Sequence, residues 1–410
     1  MSEKSAQRLM TGEAWEDFCE QLKQAGRIID RFGPDEIDDQ DRAEWFRFMG
    51  RVVRNGLERF GENCEPERPR LRDTPWRQAI NFQSPDQDHF LTEFVDGSHD
   101  YIVRGNRGGL PYFVLASWTA PQPVHPGEQS WAEAGLDALD RFDPSNLATT
   151  GFINSDTIRF DDHGNFEITV SQNDPGDGRD WLPMTPDCVG LLLRTLYHDR
   201  ATTEPPRFTI MRADDPEPQP VSSGEVSDAL AKAGQTVLGY GELVRRWWQD
   251  NLAQRPNRIR FSRAVYLSNG GVPDRHHGFG TWECAADEAL VIDFVPSPAQ
   301  YWIFQLCNIW QENLDSYEDG DGYVTKFHHT PAADGSVRII VSEEPTRLAG
   351  NAIGTFGHRH GGMSLRFIGL DENSTPPQVS LRRIKLQAID EQGEAAVDAA
   401  TPVISGELSE

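Results

Sequence analysis

Glu312, His328 and His358 are the residues of this chain whose types suit acid/base chemistry. Imidazole titrates near neutrality, and a carboxylate set among apolar neighbours is pushed up towards the same range, so the two can exchange a proton at ordinary pH. Glu312 follows YWIFQLCNIWQ, a run that supplies such neighbours, and Asp315 follows close behind. Within the run Gln305 and Asn308 need hydrogen-bond partners or a wet cavity. One reading makes Gln305, Asn308, Trp302, Trp310 and Arg366 a substrate site, with Phe304 and Phe367 adding apolar walls for a small apolar or aromatic molecule. The other has Gln305 and Asn308 satisfying backbone groups at a strand end, with Glu312 paired to Arg366.

Three further patterns bear on metals. His276-His277, His328-His329 and His358-Arg359-His360 are candidate imidazole ligands, and an H-x-H on a strand points both rings to one side, as a cupin-like centre needs. Adjacent histidines on a strand cannot both face inward, however, and Gly357, Gly361 and Gly362 favour a turn at the H-x-H. Asp319-Gly320-Asp321-Gly322 lacks the spacing and terminal Glu of an EF-hand and reads as an acidic turn. No metal or other cofactor is expected, with a His-ligated metal enzyme as an alternative. The chain has no G-x-S-x-G, Walker or H-E-x-x-H sequence, which removes the usual support for serine hydrolase, nucleotide hydrolase and zincin readings.

These residues sit in a stretch, Glu288 to Asp315, that reads as a buried β-hairpin, with Pro296 and Pro298 supplying the break. A second apparent hairpin spans Asp100 to Trp118, and its landmarks repeat: Tyr101 and Tyr112 are 11 positions apart, as are Leu290 and Tyr301. NFEITVSQNDPG then matches SVRIIVSEEP, VGLLLRTLYHD matches GMSLRFIGLDE, and EPPRFTIMR matches TPPQVSLRR. Four matches in one order imply an internal duplication in which Arg194 corresponds to Arg366.

Helical spacing marks the rest. Trp15, Phe18, Leu22, Ala25 and Ile29 form one stripe; Trp45, Phe48, Val52 and Phe60 form another on a helix predicted to start at Asp41, with Glu44 completing its cap. Ser222 and Glu225 cap a helix between the repeats, with a bend expected at Gly239 and Gly241. The expected fold is α+β, mainly β: a helical hairpin over 1–75, β-sandwich or jelly-roll-like units over 76–215 and 258–396, a connecting helix over 216–257, and a mobile acidic tail over 397–410. The Pro- and Arg-rich stretch near 65–85 reads as an extended connection, and a short helical segment is expected near 130–140.

With 39 basic against 65 acidic residues, the net charge of −26 opposes binding to a phosphate backbone, so no nucleic-acid partner is expected. Five widely spaced cysteines without C-x-x-C suggest a reducing compartment. The start of the chain lacks a signal-peptide core, and no run of about 18 apolar residues occurs, so a cytoplasmic protein without membrane partners is expected, with self-association an open alternative.

GTWECAADEALVIDF, YWIFQLCNIWQENLD, DGSVRIIVSEEP and GHRHGG, with DRAEWFRFMGRVVRNGLERFGEN near the start, resemble the bacterial domain of unknown function 1214 family. Where that family commonly has Asn-Trp-Leu-Asp-Thr, this chain has Asn351-Ala352-Ile353-Gly354-Thr355. The resemblance implies a β-sandwich or jelly-roll-like domain and brings no reaction with it. Two function classes follow: a cofactor-independent lyase, isomerase or hydrolase acting on a small molecule in the second unit, or a binding or scaffold protein whose sandwiches pack together.

Overall fold

The computed structural model describes residues 3–405 apart from 34, 63–66, 75–83, 93, 120–147, 253–255, 269–270, 315–321, 345 and 371–373. The segment near 130–140, Asp315 and the Asp319-Gly320-Asp321 turn fall outside the described residues.

The chain opens with α1 (Glu3–Thr11), α2 (Glu13–Gly26) and α3 (Asp39–Gly56). The cap of α3 is Asp38, ahead of the expected start: its carboxylate accepts from the Asp41 N–H at 2.8 Å, and the Asp41 carboxylate accepts from the Asp38 N–H at 3.1 Å. Glu44 is therefore available for contacts outside its own helix. Trp45, Phe48 and Val52 are buried as their spacing requires, whereas Trp15 is 56 % exposed and lies outside the stripe of α2. Ser222 and Glu225 do cap α4 (Ser223–Leu252). That helix is continuous through Gly239 and Gly241. Gly241 serves close packing: a Cβ there would lie 2.8 Å from Ile28 Cδ1 and 3.2 Å from Trp45 Cη2.

The first β-unit comprises β1 (Arg72–Thr74), β2 (His89–Thr92), β3 (Tyr101–Asn106), β4 (Tyr112–Thr119), β5 (Ala148–Asn154), β6 (Asn165–Ser171), β7 (Asp180–Pro183), β8 (Gly190–Leu196) and β9 (Arg207–Arg212). The second comprises β10 (Arg258–Phe261), the short α5 (Arg263–Ser268), β11 (Arg275–Glu283), β12 (Glu288–Phe294), β13 (Ala299–Leu306), β14 (Tyr323–Thr325), β15 (Val337–Ser342), β16 (Asn351–Gly354), β17 (His360–Leu370) and β18 (Val379–Lys385). After α6 (Leu386–Gln392) and α7 (Glu394–Ala399), β19 (Val403–Ser405) pairs with β18, so part of the expected tail belongs to a sheet.

Each unit is two sheets, and the strand orders are the same. β1-β2-β8-β4-β5 corresponds to β10-β11-β17-β13-β14, and β7-β6-β3-β9 corresponds to β16-β15-β12-β18, with β19 added at one edge. Even the parallel pairs recur, β6 with β7 and β15 with β16. The duplication is thus present in topology as in sequence.

The two expected hairpins are corners between sheets. β3 pairs with β6 and β9 while β4 pairs with β5 and β8; likewise β12 pairs with β15 and β18 while β13 pairs with β14 and β17. At the second corner the physical reason lies in the connection. Tight hairpins need short turns with φ > 0 at defined positions, whereas Pro-Ser-Pro offers no glycine and removes two backbone donors. Each corner folds one apolar run over the other, and the space between them becomes the core of that sandwich.

Candidate functional site at the seam between the units

Strand alternation decides which side chains leave those cores. Phe113 and Leu115 of β4 point into the first core, and Trp302, Phe304 and Leu306 of β13 into the second. The intervening residues face the other way. Tyr112, Val114 and Ala116 meet Tyr301 and Ile303, and with Leu196, Val272 and Ile368 they form one buried cluster joining the units. In the repeat Tyr112 and Val114 correspond to Tyr301 and Ile303, so the units meet through equivalent faces, the arrangement of an isologous dimer built from one chain.

The cross-strand register then places polar groups in this seam. Arg194 of β8 lies between Val114 and His89, and Arg366 of β17 lies between Ile303 and His277. Arg194 and Arg366 are therefore equivalent, and each stands beside a histidine. Arg366 Nε donates to His277 Nε2, which assigns His277 as a neutral ring with its proton on Nδ1. Burial, reinforced by the nearby guanidinium groups, holds both His277 and His89 well below the usual histidine range. Burial also brings Arg366 down to about 10. Across the seam the Tyr112 hydroxyl donates to Asp274, whose other oxygen accepts from Arg275 Nε at 3.0 Å.

Asp86 is the group with free capacity. Burial pushes its carboxyl up to about 6, against the downward pull of the Ser84 hydroxyl, Arg200 and Arg366. Ser84 is close enough to exert that pull without meeting hydrogen-bond geometry, and neither Asp86 oxygen has a partner among the described residues. Arg275 Nη2 and Tyr301 Oη are buried without partners in the same sense. Tyr301 and Arg275 flank Ile368 in the sheet register, on the seam face. Buried polar atoms left open in this way call for a further partner, ordered water included. In chemical terms the seam combines guanidinium groups, neutral imidazoles and a carboxyl that titrates near neutrality.

The sequence-predicted site residues divide among four places. Arg366 is in the seam. Gln305 lies further along the same face of β13, opposite Ser364, with Nε2 3.3 Å from Cys307 Sγ. Trp302 points into the second core with Phe304 and Phe367, so these rings do not surround one pocket with Trp310. His328 lies beyond β14, its Nε2 3.1 Å from the His198 carbonyl oxygen of the first unit.

Asn308, Trp310, Glu312 and His358 form a separate group, a clasp that holds α3 against the second unit. Asn308 Oδ1 accepts from the N–H groups of Trp310 and Glu312, both at 3.0 Å, closing a tight turn in which Gln311 has φ 63°. Asn308 Nδ2 donates to Glu44 at 2.9 Å, and Glu312 pairs with Arg51 at 2.6 Å where Arg366 was the expected partner. His358 Nε2 lies 3.0 Å from Glu44, its Nδ1 3.0 Å from the Thr355 carbonyl oxygen, and His360 Nε2 2.9 Å from Asp41. Both histidines of the H-x-H thus turn to carboxylates of α3. Among the described residues no group of three or more His, Cys, Asp or Glu side chains could hold a metal ion.

The clasp carries a pH dependence. Opposed by burial, the Glu44 carboxylate and the Thr355 carbonyl still raise His358, while that histidine and Asn308 lower Glu44. Burial dominates at Glu312, which is pushed up to about 7 despite Arg51. A raised histidine stabilises below its unfolded value of 6.5 and loses that contribution as pH rises past its folded value. A raised carboxyl acts in the same direction, favouring the folded state while protonated, with a penalty that builds up between 4.5 and about 7 and stays in full above that. The lowered Glu44 contributes above 4.5 and is lost on acidification. Melting is therefore expected to be highest on the mildly acidic side and to lose about 1–3 kcal/mol by about pH 8. Glu312→Gln should flatten that decline in melting scans; an unchanged slope would remove Glu312 from the explanation.

Asp86, His89, Asp274 and Arg275 were not singled out by sequence. The available signal was the repeat itself: extending it upstream by one strand aligns His89 of β2 with His277 of β11.

The architecture defines a class, a duplicated β-sandwich protein with an N-terminal helical clasp. No family model and no curated protein matches the chain. Among solved structures it is similar to an uncharacterized protein from Burkholderia cenocepacia, at 29 % identity and TM-score 0.80 over 93 % of this chain and 99 % of that one. It also aligns with the VPA0106 protein from Vibrio parahaemolyticus at 11 % identity and TM-score 0.44, over 94 % and 99 % of the two chains. The first likeness extends over both units and the helical region together. Among the described residues no helix is long and apolar enough to cross a membrane.

Proposed function

We propose that this chain is a cofactor-independent enzyme acting on a small molecule at the seam between its β-units, with Asp86 as proton donor and acceptor and Arg275 and Arg366 positioning the substrate. The observation that carries this reading is Asp86 itself: a buried carboxyl with both oxygens open, held near neutrality, within electrostatic reach of Arg366 from the other unit. The site moves from the end of the second unit, where Asn308 and Glu312 already have partners in α3, to a face built by both units. A place in the domain of unknown function 1214 family and a cytoplasmic setting belong to the same proposal, supported by the quoted motifs and by the cysteine usage.

A scaffold reading has one observation in its favour, the apolar cluster that fills part of the seam. The two readings separate by experiment. Compounds that raise the melting temperature in a chemically diverse screen are soaked into crystals. Difference density against Asp86, Arg275 Nη2 and Tyr301 Oη is expected; hits that bind only outside the seam would favour the scaffold.

A further inference from the structure

Resting on that reading of the seam, we infer that its ligand is an anion: a small carboxylate or phosphate whose oxygens lie against Arg275 and Arg366 and whose apolar body lies along Val114, Tyr301 and Ile303.

The argument begins with charge. Arg194, Arg275 and Arg366 converge on one buried region, each electrostatically coupled to another. Asp274 is engaged by Arg275 Nε and by the Tyr112 hydroxyl, leaving Arg275 Nη2 open. Arg366 is only 7 % exposed, its Nε is directed at a neutral histidine, and it forms no ion pair among the described residues. A buried cation that no carboxylate meets directly is costly, Asp86 acting on Arg366 only through space, and the neutral state of both neighbouring histidines keeps them from adding to the positive charge. The seam thus holds a buried guanidinium, Arg366, that no described carboxylate meets in an ion pair.

Geometry selects the counter-charge. A guanidinium presents paired donors in a plane, which match the oxygens of a carboxylate or phosphate and offer a donor-only ligand no acceptor to donate to. Asp86 does not oppose such a ligand: in its acid form it donates a hydrogen bond to an anionic oxygen, and an adjacent anion favours that form. Tyr301 Oη adds a hydroxyl that has no hydrogen-bond partner among the described residues. Beside these groups the wall is apolar, since Val114, Tyr301 and Ile303 belong to the buried cluster of the seam. A headgroup with charge and a body without it is the ligand that satisfies both halves.

The test uses the full chain in a buffer free of oxyanions, with ionic strength held constant by chloride. Melting is followed as acetate, benzoate, phenyl phosphate or neutral benzamide is added to the wild type, Arg366→Met, Arg366→Lys and Asp86→Asn. At saturating concentrations benzoate or phenyl phosphate should raise the wild-type melting temperature by about 3 °C or more, with benzamide without effect. The response to benzoate against phenyl phosphate tells which headgroup is preferred. Arg366→Met should melt at or above the ligand-free wild type, because it removes a buried charge that no ion pair holds, and should not respond. Should it fail to fold, Arg366→Lys, which keeps the charge and loses the fork, should bind at least about tenfold more weakly.

Equal responses to benzamide and benzoate, no response to any oxyanion, or an Arg366→Met protein that melts lower and responds like the wild type would overturn the inference. A neutral compound whose effect disappears in Asp86→Asn would overturn the anion and keep the seam as the site. Binding that no variant alters would remove the seam as well.

Discussion

Trp310→Ala is expected to destabilise the protein by about 3–5 kcal/mol, the range for deleting a fully buried aromatic side chain. Trp310 is completely buried, its ring centroid is 4.8 Å from that of Trp45 and 5.5 Å from that of Phe32, and its Nε1 donates to the Asp41 carbonyl oxygen at 2.9 Å. Truncation would leave a cavity between the helical region and the second unit and deprive a buried carbonyl of its donor. The polar clasp stands beside this ring, so Glu44, Asp41 and Arg51 of α3 would lose the surface that aligns them with His358, His360 and Glu312. Trp310→Phe keeps most of the packing and loses the hydrogen bond, and should cost about 1–2 kcal/mol more than a neutral change. Urea unfolding measures both. A loss below about 1 kcal/mol for Trp310→Ala would mean that the helices are held elsewhere.

Much of this architecture was legible in the sequence because it is written twice. The repeated 11-position offset and the ordered strand matches located β3 and β4, β6, β8 and β9 and their counterparts, and the pairing of Arg194 with Arg366 followed from them. Strand partners were less accessible. YFVLASW and YWIFQL are apolar at successive positions, which says that both faces are buried but not against what. One face of each meets its own sandwich core and the other meets the neighbouring unit, so the lack of alternation that suggested a single buried hairpin came from two separate packings. The partners of the predicted site residues were hard to read for a related reason. Asn308 and Glu312 are buried polar residues on a strand end, and their partners Glu44 and Arg51 lie more than two hundred positions upstream on a helix, beyond any local signal. Asp86 and His89 lie at and before a strand only four residues long, too short for periodicity to announce.

The central claim is that Asp86 handles a proton in the seam, and Asp86→Asn tests it. Asparagine has nearly the same shape and cannot take or return a proton, so turnover of a substrate identified in the ligand screen should fall by about 10²- to 10⁴-fold, the usual contribution of a positioned acid or base. Stability should move the other way. A carboxyl whose folded pKa is raised above its unfolded value favours the folded state while protonated and penalises it as pH rises through about 6, so removing it should leave the variant at least as stable as the wild type near pH 8. The wild-type pH profile of kcat/KM should show an inflection near 6, and the variant's should lack it. The decisive measurement is therefore kcat/KM against pH for wild type and Asp86→Asn, with melting recorded in parallel. A large loss of turnover and of that inflection in a protein that melts normally is the predicted result; turnover within about threefold of wild type, with the inflection intact, would contradict it.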